Sequence, residues 1–187
     1  MALVLLIRAD MFLLAQTNVL VVYHSITGNT AQMAEAVAEG ARSAVNVEVS
    51  LKTIDQTSLQ DLLAADAIIV GSPVYNANVT AEVQAFISKW PFEDMPMKDK
   101  LGAAFVTAGG ISAGEEITQM NILQSMLIFG MIVIGGPDWQ SPFGASAIVY
   151  EPPFGDYEGI APQFLEKGRR LGKRVAETAK KLNSGVR

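Results

Sequence analysis

Short apolar runs alternate with segments of helical periodicity along most of the chain. Continuous apolar runs, typical of parallel strands that are buried on both faces, lie at residues 19–22, 67–70 and 103–106. Residues 45–51 instead alternate apolar and polar side chains, which predicts an edge strand with one exposed face. Residues 131–134 predict one more strand, and residues 145–149 are a candidate continuation of it after a segment rich in Gly and Pro.

Helical periodicity occupies the intervals between most of these strands. It is found at residues 29–43, 79–90, 115–129 and 161–182. The last segment is basic and amphipathic, and we interpret its Lys and Arg side chains as a solvated face. Strands that alternate with helices indicate βαβ units, right-handed crossovers and a parallel sheet, so the pattern predicts an α/β fold.

The amino-acid composition limits the kinds of chemistry that the protein can carry out. The chain has 187 residues, of which 50% are hydrophobic, and this predicts one compact domain. Its formal net charge of −5 argues against a nucleic-acid partner, since phosphate backbones are bound by clusters of Lys and Arg. The absence of cysteine excludes thiolate catalysis and Cys-ligated metals. We predict no metal site and no catalytic side chain, and expect a bound organic cofactor to carry the chemistry.

The only histidine, His24, comes directly before the loop that follows the first strand. One histidine does not make a zinc site of the usual kind. We expect His24 to lie in or beside the sheet with its hydrogen bonds satisfied, and not to act in catalysis.

The N-terminal residues 1–17 are apolar, but Arg8 and Asp10 interrupt the run. A membrane span needs about 18 uninterrupted apolar residues, and a secretory signal needs its positive charge before the apolar core. We therefore expect a cytoplasmic protein without stable membrane insertion, in which residues 1–17 extend a domain of residues 18–187. Two alternatives stay open: the extension packs on the domain or on a neighbouring subunit, or Met11 is the true start.

The most informative segment follows the first strand. Residues 25–30, with the sequence S-I-T-G-N-T, place hydroxyl-bearing residues and one glycine between a strand and a helix, which is typical of a phosphate site. This SITGNT loop lacks the lysine of a nucleoside-triphosphate loop and the repeated glycines of a dinucleotide loop. We predict that it binds a single phosphate through hydroxyls, backbone N–H groups and the helix dipole.

Two further loops are expected at the same edge, because ligands of parallel sheets bind beyond the carboxyl ends of the strands. In the loop of residues 71–78, Tyr75 is either a residue that stacks on a planar ligand or a plain surface tyrosine. Asn78 is expected to cap the helix that starts near Val79. Residues 107–114 contain three glycines, which allow a ligand to approach the backbone closely.

The SITGNT loop matches the [ST]-x-T-G-N-T phosphate loop of flavodoxins, which bind flavin mononucleotide (FMN). Residues 71–75, 109–116, 129–133 and 141–146 resemble the branch of that family that contains WrbA and the NAD(P)H:quinone oxidoreductases. The resemblance extends from about residue 18 to residue 182. It implies a flavodoxin-like three-layer sandwich with a five-stranded parallel sheet in the order 2-1-3-4-5.

Carried over to this chain, the resemblance places the phosphate on the SITGNT loop, with Thr27, Asn29 and Thr30 as side-chain donors, and the isoalloxazine ring between residues 73–76 and 107–110. The implied cofactor-binding residues are Ser25, Ile26, Thr27, Gly28, Asn29, Thr30, Pro73, Val74, Tyr75, Asn76, Thr107, Ala108, Gly109, Gly110 and Gly114.

Two positions depart from that branch. Phe129 stands where the branch has a flavin-site histidine, and Tyr75 stands where the branch has an arginine beside the ring.

The resemblance also implies an activity. We expect an FMN-binding flavoprotein oxidoreductase, with NAD(P)H as transient electron donor and a small quinone-like molecule as acceptor, in a homodimer or homotetramer. A flavodoxin-type one-electron carrier between redox proteins is the alternative, favoured by Tyr75 and by the acidic charge. A flavin-binding module without turnover is a third interpretation.

Overall fold

The computed structural model describes residues 16–185. The predicted extension at residues 1–17, apart from its last two residues, and the alternative start at Met11 lie outside the described residues. No helix within residues 16–185 combines the length and the apolar character that a membrane span requires.

The described strands form one parallel sheet. They are β1 (Thr17–Tyr23), β2 (Val47–Thr53), β3 (Ala67–Pro73), β4 (Leu101–Ala108), β5 (Ile132–Val133) and β6 (Ala145–Ile148). Their order is β2-β1-β3-β4-β5, with β6 also paired to β4, so the predicted fold class and the order 2-1-3-4-5 are confirmed. The edge strand β2 alternates exposed and half-buried residues along Val47–Leu51, as its pattern predicts.

The fifth strand position is shared by two short strands. β5 pairs with Leu101 and Gly102 at the start of β4, and β6 pairs with residues 105–108 at its end. The predicted continuation at residues 145–149 is therefore confirmed as the carboxyl half of that strand. The chain returns to the sheet at Gly144, where a side chain is excluded because its Cβ would lie 2.0 Å from the carbonyl oxygen of Ala104.

Five helices cover the two faces of the sheet in the described residues. They are α1 (Asn29–Arg42), α2 (Leu59–Ala64), α3 (Ala81–Ile87), α4 (Glu115–Ile128) and α5 (Pro162–Gly185). α1 and α5 pack on the face that Val19 and Val21 present, whereas α2, α3 and α4 pack on the face of Leu20 and Val22. This split follows from the alternation of side chains along a buried strand.

Helix α2 was not predicted from the sequence. It has six residues, and Leu62 is its only buried one, so it carries almost no periodic signal. It is stabilised at its start by Ser58, whose hydroxyl accepts the N–H of Asp61 while the Asp61 carboxylate accepts the N–H of Ser58. Hydrogen bonds from Lys52 and from Ser58 lower the pKa of the Asp61 carboxyl to about 2.

The start of α3 corrects another prediction. The hydroxyl of Thr80 accepts the N–H of Val83 and caps a helix that begins at Ala81, so the expectation that Asn78 caps a helix near Val79 is wrong. Asn78 belongs instead to the hairpin described below. A β-hairpin placed directly before the helix shifts the start of the helix by two residues.

Candidate functional site

The SITGNT loop joins β1 to α1 at the carboxyl edge of the sheet. Gly28 precedes the helix with a φ of 91°, a left-handed conformation that glycine adopts without strain. Apart from Gly28 itself and its two chain neighbours, no atom of the described residues lies within 4 Å of the place where its Cβ would be. The hydroxyl of Ser25 accepts the N–H of Ala31 at 3.2 Å. Within the described residues, no hydrogen bond occupies the backbone N–H groups of residues 26–30. The loop thus presents free donors at the positive end of a helix, which is an anion-binding arrangement.

Its other three polar side chains have different surroundings. The Asn29 amide donates to the hydroxyl of Thr27 and to the hydroxyl of Tyr150, each at 3.2 Å, on the exposed rim. Thr30 points inward, and its Oγ1 lies 2.8 Å from Oγ1 of Thr107, with both residues buried. Thr27 and Asn29 are therefore accessible to a ligand, whereas Thr30 also anchors the loop to the end of β4.

The loop after β3 is a tight hairpin. Pro73 is the buried last residue of β3. Tyr75 and Asn78 exchange backbone hydrogen bonds of 3.1 and 3.0 Å across Asn76 and Ala77, whose φ angles are 52° and 58°. Two successive left-handed residues are characteristic of a type I′ turn. The Tyr75 side chain is 45% exposed at the rim, where it can meet a planar ligand or solvent, so both interpretations of this residue stay open.

Val74 connects the hairpin to the glycine-rich loop (residues 107–114), since its N–H donates to the carbonyl oxygen of Thr107 at 2.8 Å. Thr107 and Ala108 end β4 and are buried, whereas Gly109 is exposed. Gly114 has a φ of 101° and directly precedes α4, and a Cβ there would lie 2.4 Å from the Cβ of Ala77. The structure thus gives Gly114 a packing role, because its lack of a side chain lets the loop touch the hairpin.

A fourth loop, which was not predicted from the sequence, reaches the site. This β6–α5 loop (residues 149–161) follows β6, and its Tyr150 N–H donates to the carbonyl oxygen of Gly109 at 3.0 Å. The Glu151 carboxylate accepts the N–H of Ile111 at 2.5 Å. The apolar run at residues 145–149 could have indicated this loop. If that run is the carboxyl half of the last strand, the residues after it must lie at the carboxyl edge of the sheet, where ligands bind.

Two further residues, Phe129 and His24, have environments that were predicted from the sequence. Phe129 follows the last residue of α4 and packs on Trp90 and Phe92, with ring centroids 5.5 and 5.9 Å apart. It is next to Gly130, whose carbonyl accepts the N–H of Asp99, two residues before β4 begins. Within one subunit, Phe129 therefore lies at the amino end of the sheet, opposite the SITGNT loop, and does not line the site together with the other predicted residues. Its assignment to a flavin-site position stays a prediction.

His24 lies beside the sheet as expected, with its backbone N–H bonded to the carbonyl oxygen of Gly71 at 3.1 Å. Its Nε2 has no hydrogen-bond partner in the described residues and is 3.8 Å from an Oε of Glu82. The expectation that its hydrogen bonds are satisfied is thus wrong for Nε2.

The four loops contain no Lys or Arg, and their carboxylates are Glu151, Asp156 and Glu158. Glu115 and Glu116 follow the glycine-rich loop in the first turn of α4. An anion bound here would be held by N–H groups, hydroxyls and the α1 dipole alone. Each loop also exposes a large apolar or aromatic side chain: Ile26, Tyr75, Ile111 and Tyr150 are 63%, 45%, 54% and 64% exposed. The edge therefore combines an anion cradle with apolar contacts for a flat group.

Known proteins are similar to most of this chain. The family model described as NADPH-dependent FMN reductase matches residues 55–146. A flavodoxin from Aquifex aeolicus is 37% identical over 169 residues, which covers 86% of this chain and 85% of the relative. An NAD(P)H dehydrogenase (quinone) from Archaeoglobus fulgidus is 30% identical over 198 residues and covers 88% of this chain and 98% of the relative. The crystal structure of a flavodoxin, WrbA-like protein from Agrobacterium tumefaciens has a TM-score of 0.74 and 27% identity, with coverages of 89% and 99%.

Proposed function

This chain belongs to the flavodoxin-like family, in the branch of WrbA and the NAD(P)H dehydrogenases (quinone), and from that membership we propose that it is an FMN-dependent oxidoreductase that passes electrons from NAD(P)H to a small quinone-like acceptor. The observation that carries the cofactor assignment is the SITGNT loop, whose N–H groups at residues 26–30 make no hydrogen bond with the described residues. One phosphomonoester fits this cradle, because the loop contains no cation that would neutralise a triphosphate.

Different residues of the site would contact the two ends of FMN. Ser25, Thr27 and Asn29 would hold the phosphate together with the loop N–H groups, and the exposed rim of Tyr75, Gly109 and Gly110 would flank the ring. Bound FMN supplies the redox chemistry. The chain supplies binding and orientation, and the proposal needs no side chain that donates or accepts a proton.

The cofactor assignment is tested by the visible absorption spectrum of the purified protein, followed by titration of the cofactor-free protein with FMN and riboflavin. We expect FMN to bind at least tenfold more tightly than riboflavin, because only FMN carries the phosphate. Gly28→Ala should weaken FMN binding but not riboflavin binding. The matched control is Gly130→Ala, which replaces another left-handed glycine, at φ 75°, at the opposite end of the sheet. Equal affinities for FMN and riboflavin in the wild type would refute the assignment.

A one-electron carrier is the second candidate function, and the 37% identity to a protein named flavodoxin favours it. Steady-state oxidation of NADH and NADPH with an added quinone separates the two. An oxidoreductase of the proposed kind consumes the nicotinamide with multiple turnovers. A carrier accepts electrons only when a reductase is added, and this result would contradict the quinone-reductase proposal while leaving FMN binding intact.

Two expectations belong to the same proposal. A homodimer or homotetramer agrees with the exposed apolar residues of α4, among them Ile117, Leu127 and Ile128, which are more than half exposed. Sedimentation of the FMN-loaded protein tests this expectation, and a monomer would contradict it. The cytoplasmic location likewise stays a prediction.

A further inference from the structure

We propose that Tyr150 and Glu151 form a clasp whose two side chains position opposite ends of the cofactor site: Tyr150 positions the phosphate end, and Glu151 positions the ring end. The inference rests on the proposed function, since it assigns both residues to the site that would hold FMN. Both are positioning residues, because each acts through a loop. Neither residue was predicted from the sequence.

The Tyr150 arm acts on the SITGNT loop. Its hydroxyl is 3.2 Å from the Asn29 amide, which also donates to Thr27. An Asn side chain carries two N–H donors, so these two bonds fix the rotation of the amide. Asn29 and Thr27 are two of the three side chains that would hold the phosphate, and the clasp therefore orients groups at that end of the cofactor.

The Glu151 arm acts on the glycine-rich loop. Its carboxylate accepts the N–H of Ile111 at 2.5 Å, and the same oxygen would lie 2.8 Å from a Cβ at residue 110. Gly110 thus leaves the space that the carboxylate occupies. No Lys, Arg or His of the described residues forms an ion pair with Glu151, and its carboxylate bonds instead to this backbone group. Hydrogen bonds to a charged acceptor are stronger than those between neutral groups, which suits Glu151 to ordering a loop of glycines.

The backbone holds the clasp in place. The N–H groups of Val149 and Tyr150 donate to the carbonyl oxygens of Ala108 and Gly109, each at 3.0 Å. These bonds come directly after the pairing of β6 with β4, which ends at Ile148 and Ala108. The two clasp side chains therefore start from a fixed strand end. Preorganisation of this kind raises affinity because the ordering of the loops is not left to the binding step.

The experiment measures dissociation constants of FMN and riboflavin for four single variants of the full chain. Tyr150→Phe and Glu151→Ala remove the two arms. Tyr157→Phe and Glu158→Ala are matched controls on the same β6–α5 loop, since neither side chain makes a hydrogen bond or ion pair with the described residues. Thermal unfolding of the cofactor-free variants checks that all four fold.

We expect substitutions of Tyr150 and of Glu151 to change the two dissociation constants differently. Tyr150→Phe should weaken FMN binding about fivefold and leave riboflavin binding unchanged, because it acts at the phosphate end. Glu151→Ala should weaken both ligands by the same factor of about ten, because both contain the ring. Glu151→Gln keeps an acceptor oxygen for the Ile111 N–H and should stay within about threefold of the wild type. Amide hydrogen exchange at Ile111 should be faster in Glu151→Ala without any ligand.

Two results would overturn the clasp. The first is that Tyr150→Phe and Glu151→Ala bind both ligands as tightly as their control variants do. The second is that Tyr150→Phe weakens the binding of FMN and of riboflavin by the same factor. If the wild type binds FMN and the clasp variants behave like the controls, only this inference fails. If the wild type binds neither FMN nor riboflavin, the proposed function fails and the clasp fails with it.

Discussion

Thr30 and Thr107 join the SITGNT loop to the end of β4 through one buried hydrogen bond. The two hydroxyl oxygens are 2.8 Å apart, and the residues are 2% and 4% exposed. A buried hydroxyl that loses its partner costs more than the bond itself contributes, because its desolvation is no longer compensated. Replacement of both hydroxyls by methyl groups removes that penalty.

We therefore predict a non-additive pair of substitutions. Thr30→Val and Thr107→Val should each lower the free energy of unfolding by about 1–3 kcal/mol, and the double variant should be more stable than either single one. Urea unfolding of the four proteins measures the coupling. Losses that simply add would show that the two hydroxyls act independently.

The same double variant separates stability from ligand binding. If Thr30 also donates to the phosphate, as the resemblance implies, FMN binding stays weakened even where the double substitution restores stability. Thr107→Val alone keeps the Thr30 hydroxyl and serves as the control.

At the scale of elements, the hydrophobic pattern predicted the strands of the sheet and four of the five described α-helices. The order of the strands was predicted only with the family resemblance. Buried parallel strands are easily found because both faces are apolar over four or more residues, as in Ala67–Val70 of β3. Helix α2 has one buried residue and no such signal. The cap of α3 was missed for another reason, since the hairpin of Tyr75 and Asn78 depends on backbone pairing that no periodicity reveals.

The packing of α1 against α5 depends on glycines that the pattern does not single out. A Cβ on Gly40 would lie 1.9 Å from the carbonyl oxygen of Arg169, and a Cβ on Gly172 would lie 1.9 Å from the carbonyl oxygen of Val37. In both cases the clashing atom belongs to the backbone, which cannot move away as a flexible side chain can. Close approach of the two helices therefore requires glycine at both positions.

We predict that Gly172→Ala lowers the free energy of unfolding by about 3 kcal/mol or more, because the helices must separate to admit the methyl group. The matched control is Gly168→Ala on the same helix, where the nearest atom is the Met33 sulfur at 3.2 Å, on a flexible side chain. Its cost is offset by the higher helix propensity of Ala, so the net change should stay within about 1 kcal/mol. Equal stabilities of the two variants in urea would show that α1 and α5 are not packed this closely.

At the scale of the whole molecule, the candidate site is an assembly of four loops from distant parts of the chain. Asn29 and Tyr150 are in contact although 121 positions separate them, and Ile111 meets Glu151 across 40. A motif could be found for the SITGNT loop because its residues are consecutive. Tyr150 and Glu151 form no motif, and their place follows only from the observation that β6 occupies the carboxyl half of the last strand position.

Such an assembly links cofactor binding to the stability of the entire fold, because the loops come from β1, β3, β4 and β6 and unfolding separates them. A ligand that binds only the folded protein adds about 2.7 kcal/mol at a concentration of 100 times its dissociation constant. For a chain of this size we expect FMN at that concentration to raise the midpoint of thermal unfolding by about 5–10 °C. Riboflavin at the same concentration should raise it less, since it leaves the N–H groups of the SITGNT loop without a phosphate. Differential scanning calorimetry measures both shifts, and equal shifts would mean that the loop does not contribute to cofactor binding.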